Sequence, residues 1–133
     1  MDLMSERMAI LIDSDGEITT PNFVGLAELD HPGGRLWHVR DLIDSADPRG
    51  LKFPGTVELV AWLDERAHVR KLSANMVASF AFADAFNLPL QVICGPLLIT
   101  GGSPDEPLAL TSAQVAEAFE HLGLEADDES AED

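Results

Sequence analysis

Apolar and polar positions divide the chain into short blocks punctuated by glycine, proline and acids. MAILI, 8–12, is an apolar run followed by DSDG and EITT. An Asp-Gly pair between two short runs predicts a β-hairpin, because glycine takes positive φ without strain. Asn22 to Leu29 predicts a short helix, and DHPGG, 30–34, a loop. RLWHVRDLID, 35–44, fits two periods: Leu36, Val39 and Ile43 make a helical face, Trp37 and Val39 an alternating one. SADPRGLKFPG, 45–55, reads as a loop. TVELVAWLDE, 56–65, reads as a strand with Val57, Leu59, Ala61 and Leu63 on one side and Val60 and Trp62 on the other. Both faces are apolar, which predicts a strand covered on each. ERAHVRKL, 65–72, reads as a second, paired strand.

SANMVASFAFADAFN, 73–87, predicts a helix capped by Ser73, with Met76, Val77, Phe80, Ala83 and Phe86 turned inward near 3.6-residue spacing. Its single charge, Asp84, predicts extensive burial. QVICGPLLITGG, 91–102, then reads as a strand buried on both faces, with Val92, Cys94 and Leu98 one way and Ile93, Leu97 and Ile99 the other. Pro96 removes a ladder donor and predicts an edge or a bulge there, and the glycines end the strand in a loop at 101–109. TSAQVAEAFEHLG, 111–123, predicts a helix with a Thr111–Gln114 capping box, a Gly123 C-terminal cap, and Val115, Phe119 and Leu122 inward. Strands and helices mix without regular βαβ alternation. The expected fold is therefore α+β: a mainly antiparallel sheet packed by two helices, about 73–87 and 111–123, in one domain spanning 1–124. The tail 125–133, with six acids and no base, is expected to be disordered.

Composition adds the compartment and the charge. A chain of 133 residues that is 46% hydrophobic can bury a core without cross-links, and its one cysteine, Cys94, precludes an internal disulfide. MDLMSERMAILID has acids ahead of a short apolar run and lacks the form of a signal peptide, and no segment reaches the roughly 20 apolar residues of a membrane span. The expected location is the cytoplasm. Twenty-four acids oppose eight bases, for a net charge of −16, and the chain without its tail still carries −10. Such a surface repels nucleic acid and anionic membranes and attracts basic partners; it also serves solubility or a salt-rich cytoplasm.

Candidate chemistry is sparse. ILIDSDGEIT resembles the first motif of the haloacid-dehalogenase phosphatases, which would make Asp13 a nucleophile and Asp15 a general acid with Mg²⁺. Glu17 stands where that family has threonine or valine, and its later Ser/Thr, Lys and acidic-pair motifs do not follow, so the hairpin turn is the simpler reading. His31, His38, His68 and His121 show no paired metal spacing, so no metal and no cofactor is expected. Gly101 and Gly102 are followed by Ser103, Pro104, Asp105 and Glu106, where a P-loop requires lysine and Ser/Thr. One stretch runs against the global charge: Arg66, His68 and Arg70 alternate, with Lys71 beside them, so an extended strand would present them on one face to an anionic ligand such as a nucleotide phosphate. Ion pairing with Glu58, Asp64 and Glu65 is the structural alternative.

Residues 56–102 resemble a domain-of-unknown-function family associated with bacteriophages, plasmids and actinobacterial genomes. The resemblance is carried by VELVAWLDE, by the helix opening LSANMVAS with Asn75, and by VICGPLLITGG, which has that family's I-x-G-x-hydrophobic-x-hydrophobic-x-G form. It offers no catalytic residues and implies a small accessory protein of a mobile element. The leading expectation is a non-enzymatic protein that binds a basic host protein, such as one that handles nucleic acid, through an acidic surface. The alternatives are a nucleotide-binding or sequestering protein using Arg66, His68, Arg70 and Lys71, and, more remotely, the Mg²⁺-dependent phosphatase. Two tryptophans and an apolar strand edge also admit a homodimer.

Overall fold

The DSDG hairpin closes as the sequence predicts. In a computed structural model, which describes residues 7–23, 37–45, 47–55, 58–104 and 107–124, β1 (Ile10–Ile12) pairs antiparallel with β2 (Ile18–Thr19). The turn is held by the Asp13 carboxylate, whose Oδ1 accepts from the backbone N–H groups of Asp15 and Glu17 at 3.0 Å each, and Gly16 takes φ +86°. Most of the short helix expected over 22–29 lies outside the described residues; Asn22 itself forms an isolated bridge with Met8.

The ambiguous segment resolves as helix α1 (Trp37–Ile43), and 45–55 is not all loop: β3 (Pro48–Lys52) pairs antiparallel with β4 (Leu59–Asp64). Pro48 is tolerated because it is the first residue of an edge strand. Gly50 lies opposite Trp62, and a Cβ there would stand 2.8 Å from the indole Cζ3, so only glycine lets the ring lie flat across the neighbouring strand. Trp62 is buried, and its indole N–H donates to Thr100 Oγ1 at 2.8 Å.

The strand expected over 65–72 is instead a tight turn into the four-residue helix α2 (Ala67–Arg70), ended by Lys71 at φ 58°. Asp64 Oδ1 accepts from the Arg66 N–H at 2.9 Å, an Asx turn that bends the chain where alternation would have kept it straight. Helix α3 (Met76–Phe86) follows, capped by Asn75 rather than Ser73. The chain turns at Asn87 (φ 53°) and returns beside α3 over 88–94 before β5 (Leu97–Gly102), β6 (Pro107–Leu108) and α4 (Ser112–Leu122). The α4 capping box and the Gly123 cap form as expected.

All strand pairings are antiparallel, in the order β2-β1-β5-β4-β3 with β6 also on β5. The fold is α+β, as expected. β5 is central and buried on both faces; Pro96 lies just before it, so its missing N–H costs the ladder nothing, and neither an edge nor a bulge is needed there. One face of the sheet (Ile10, Ile12, Leu59, Ala61, Leu97, Ile99) packs on α3 and α4 through Ala78, Ala81, Phe82, Ala118, Phe119 and Leu122. The other face (Leu11, Val60, Trp62, Leu98) packs on Val39 and Ile43 of α1 and on Phe23.

Rotation of α3 departs from the expectation. Met76, Val77 and Phe80 face outward, Phe80 at 58% exposure, while Ala78, Ser79, Ala81 and Phe82 face the core. Two buried polar side chains one turn apart fix this setting. Asn75 Nδ2 donates to the carbonyls of Ile12 (3.2 Å), Asp13 (2.7 Å) and Gly95 (2.9 Å), and its Oδ1 accepts from the Ala78 N–H. Ser79 Oγ donates to the Asn75 carbonyl and accepts from the Ile93 N–H at 2.7 Å. Turning the helix to bury Phe80 would break these bonds and leave buried carbonyls without donors, which outweighs the gain from one more ring. The return segment is bound to α3 rather than to the sheet over 91–94, so Val92 is exposed instead of facing inward with Leu98.

Candidate functional site

Helical winding disperses the basic residues expected to share a face. Arg66 turns to Asp47, with Nε 3.7 Å from Oδ2. Arg70 Nη1 bonds the Asp64 carboxylate and donates to the Asp44 carbonyl at 2.8 Å. His68 lines a different space, and Lys71 is the exposed left-handed cap of α2. The four do not converge on one anion. Asp64 is the centre of this cluster: its side chain is 1% exposed. Burial alone would push its carboxyl up, but the Arg66 N–H, the Ser45 hydroxyl and the Arg70 guanidinium together hold it below the usual carboxylate range. The cluster pins α2 and the segment after α1 to the end of β4.

The Asp13 carboxylate is committed to its own turn, as described above, and among the described residues no three His, Cys, Asp or Glu side chains converge as a metal site. His68 joins Arg49, Glu65, Gln91 and Cys94 around a half-open cleft of about 250 Å³ floored by Leu51, Leu63, Phe82 and Ile93. Arg49 and Glu65 pair across its rim at 3.8 Å. Asn75, Ile93 and Gly95 meet in the hydrogen-bonded knot between α3 and β5.

The larger feature is the outer face of α3. Met76, Val77 and Phe80 on the helix and Leu88, Leu90 and Val92 on the return segment are all exposed. The return segment lies along the helix because Leu88 N–H donates to the Ala83 carbonyl at one end and Asn75 N–H to the Ile93 carbonyl at the other. Val77 abuts the acidic hairpin turn, since a Cβ on Gly16 would stand 2.8 Å from its Cγ2. Asp15 and Glu17 in that turn and Asp84 in the last turn of α3 are exposed, so carboxylates stand at both ends of the apolar strip.

A signal for this face was present in the sequence. The last base is Lys71; the 62 residues after it contain neither lysine nor arginine. That half of the chain supplies α3, the return segment, β5, β6 and α4, so the helical layer on one side of the sheet carries acids with no arginine or lysine of its own. Arg49, Arg66 and Arg70 are meanwhile engaged with carboxylates elsewhere. No protein-family model matches the chain, nor does any curated protein or solved structure.

Proposed function

We propose that the chain is a non-enzymatic accessory protein that binds a basic protein partner through its acidic surface. One observation carries the reading: the α3–α4 layer comes from a half of the chain without a single lysine or arginine. Ten of the twelve described acidic residues are exposed, with Asp13 half-buried and Asp64 buried. A field of one sign steers oppositely charged partners and repels nucleic acid and anionic lipid. The family resemblance adds the setting, an accessory protein of a phage or other mobile element acting on a host protein in the cytoplasm. Immobilised protein exposed to host lysate and eluted along a salt gradient tests this. The expected result is capture at low salt of a basic protein, including one that handles nucleic acid, with release as salt rises. Recovery of no basic protein at low salt would sink the reading.

The cleft holding Arg49 and His68 favours a second reading, binding of a small anionic ligand such as a nucleotide. It retains His68 from the sequence expectation and replaces Arg66, Arg70 and Lys71 with Arg49. Ligand binding must raise the melting temperature by mass action. A thermal-shift series of mono-, di- and cyclic nucleotides that moved nothing would dismiss it.

A further inference from the structure

Exposed apolar side chains gathered on a helix and its return segment demand an occupant, because soluble surfaces rarely keep contiguous apolar patches without one. Here Met76, Val77, Phe80, Leu90 and Val92 form the strip. From Met76 to Asp84 the helix rises about 12 Å, which matches about two turns of a partner helix. Asp15 and Glu17 stand beside one end and Asp84 at the other, and the segment 72–133 that supplies the strip contains no lysine or arginine.

These charges choose between occupants. A second copy would bring like carboxylates onto one another, at a net charge of −16 per chain, and an anionic lipid surface would be repelled. A helix with an apolar stripe flanked by lysine or arginine satisfies both parts of the strip at once, as apolar anchors spaced i, i+3, i+4 and i+7 do in helix-in-groove recognition. We infer that the outward face of α3, with the return segment beside it, is the docking surface for a cationic amphipathic helix of a protein partner. The inference rests on the proposed function and names the surface and the partner chemistry that the function requires.

The probe is a labelled 14-residue peptide of leucine and lysine patterned as an amphipathic helix, followed by fluorescence anisotropy from about 0.02 to 0.15 M salt. A second peptide has the same composition in an order without an apolar stripe. The variants are Met76→Ser with Phe80→Ser, the charge-neutralised set Asp15→Asn, Glu17→Gln and Asp84→Asn, and Leu108→Ser as an exposed apolar control away from the strip. Unfolding curves confirm that each is folded, which exposure of these side chains leads one to expect. The patterned peptide should bind at least tenfold more tightly than the rearranged one. The Met76/Phe80 variant should lose at least tenfold, the charge variant should show a shallower salt dependence, and Leu108→Ser should change nothing. Equal binding of the two peptides, or binding indifferent to Met76 and Phe80, would overturn the docking surface while leaving the acidic-surface reading in place. Binding of neither peptide at low salt would overturn both. Dimerisation seen by sedimentation and abolished by Met76→Ser with Phe80→Ser would assign the face to a second copy and overturn the partner helix.

Discussion

Asn75 shows how much of this fold one amide decides. Its Nδ2 serves three carbonyls from two different parts of the chain, and its Oδ1 caps α3, all at 1% exposure. Replacement by alanine strands those carbonyls in the core and should cost about 3 kcal/mol, whereas Asn75→Asp, which turns a carboxylate oxygen toward them, should cost more. Urea denaturation of the two variants checks the order. Asp64 makes the complementary point about charge. Its carboxyl is held below its ordinary value of about 3.9, so the unfolded state binds the proton more readily and the stabilisation is present above that pH. It is lost as pH falls through the folded-state value. The stability gap between the native protein and Asp64→Asn should therefore be full at neutral pH and shrink below about pH 4, and a gap constant from pH 7 to pH 3 would contradict the assignment. Asparagine was legible in the sequence as a cap-forming residue, yet three long-range acceptors were not, because they come from segments 20 and more than 60 residues away.

Among the elements, those with local signals were readable. The hairpin turn and α4 carry their own terminators, Asp-Gly in one and a capping box with a C-terminal glycine in the other, and both formed as expected. Helix α3 was readable as a helix but not in its orientation. Periodicity favoured Met76, Val77 and Phe80 as the inner face, but alanines and phenylalanines on every side make that preference weak, and the Asn75 and Ser79 bonds override it. Two phenylalanines separate the alternatives. Phe82→Ala should cost about 3–5 kcal/mol as a core truncation, while Phe80→Ser should lie within about 0.5 kcal/mol of the native protein. Chemical denaturation yielding the reverse order would return α3 to the face that periodicity favoured. The basic segment failed for a different reason. Alternation of Arg66, His68 and Arg70 is compatible with a strand only if the chain stays extended, and Asp64 bends it.

Across the whole molecule, charge governs the behaviour of everything outside the core. Ion pairs such as Arg49–Glu65 and Arg66–Asp47 are half-exposed and stabilise little, while self-repulsion from a net charge of −16 acts everywhere. Salt screens the second more than it weakens the first, so the melting temperature should rise between about 0.02 and 0.5 M NaCl. A fall would mean that the surface pairs matter more than their geometry implies. Among the described residues no helix is long and apolar enough to cross a membrane.

Local pattern and composition were enough for the α+β class, the acidic surface, the hairpin, the two-sided burial of the strands around Ala61 and Ile99, and both ends of α4. Each is a property of neighbouring residues or of composition, so nothing distant had to be known. Contacts in three dimensions settled which face of α3 meets the sheet, that 65–71 turns into the short helix α2, and that the basic residues part company. The setting of α3 depends on buried polar bonds between segments far apart in the chain, where one lost hydrogen bond outweighs local periodicity. The other two outcomes depend on the Asp64 carboxylate turning inward to bend its own chain, which an alternating pattern does not reveal.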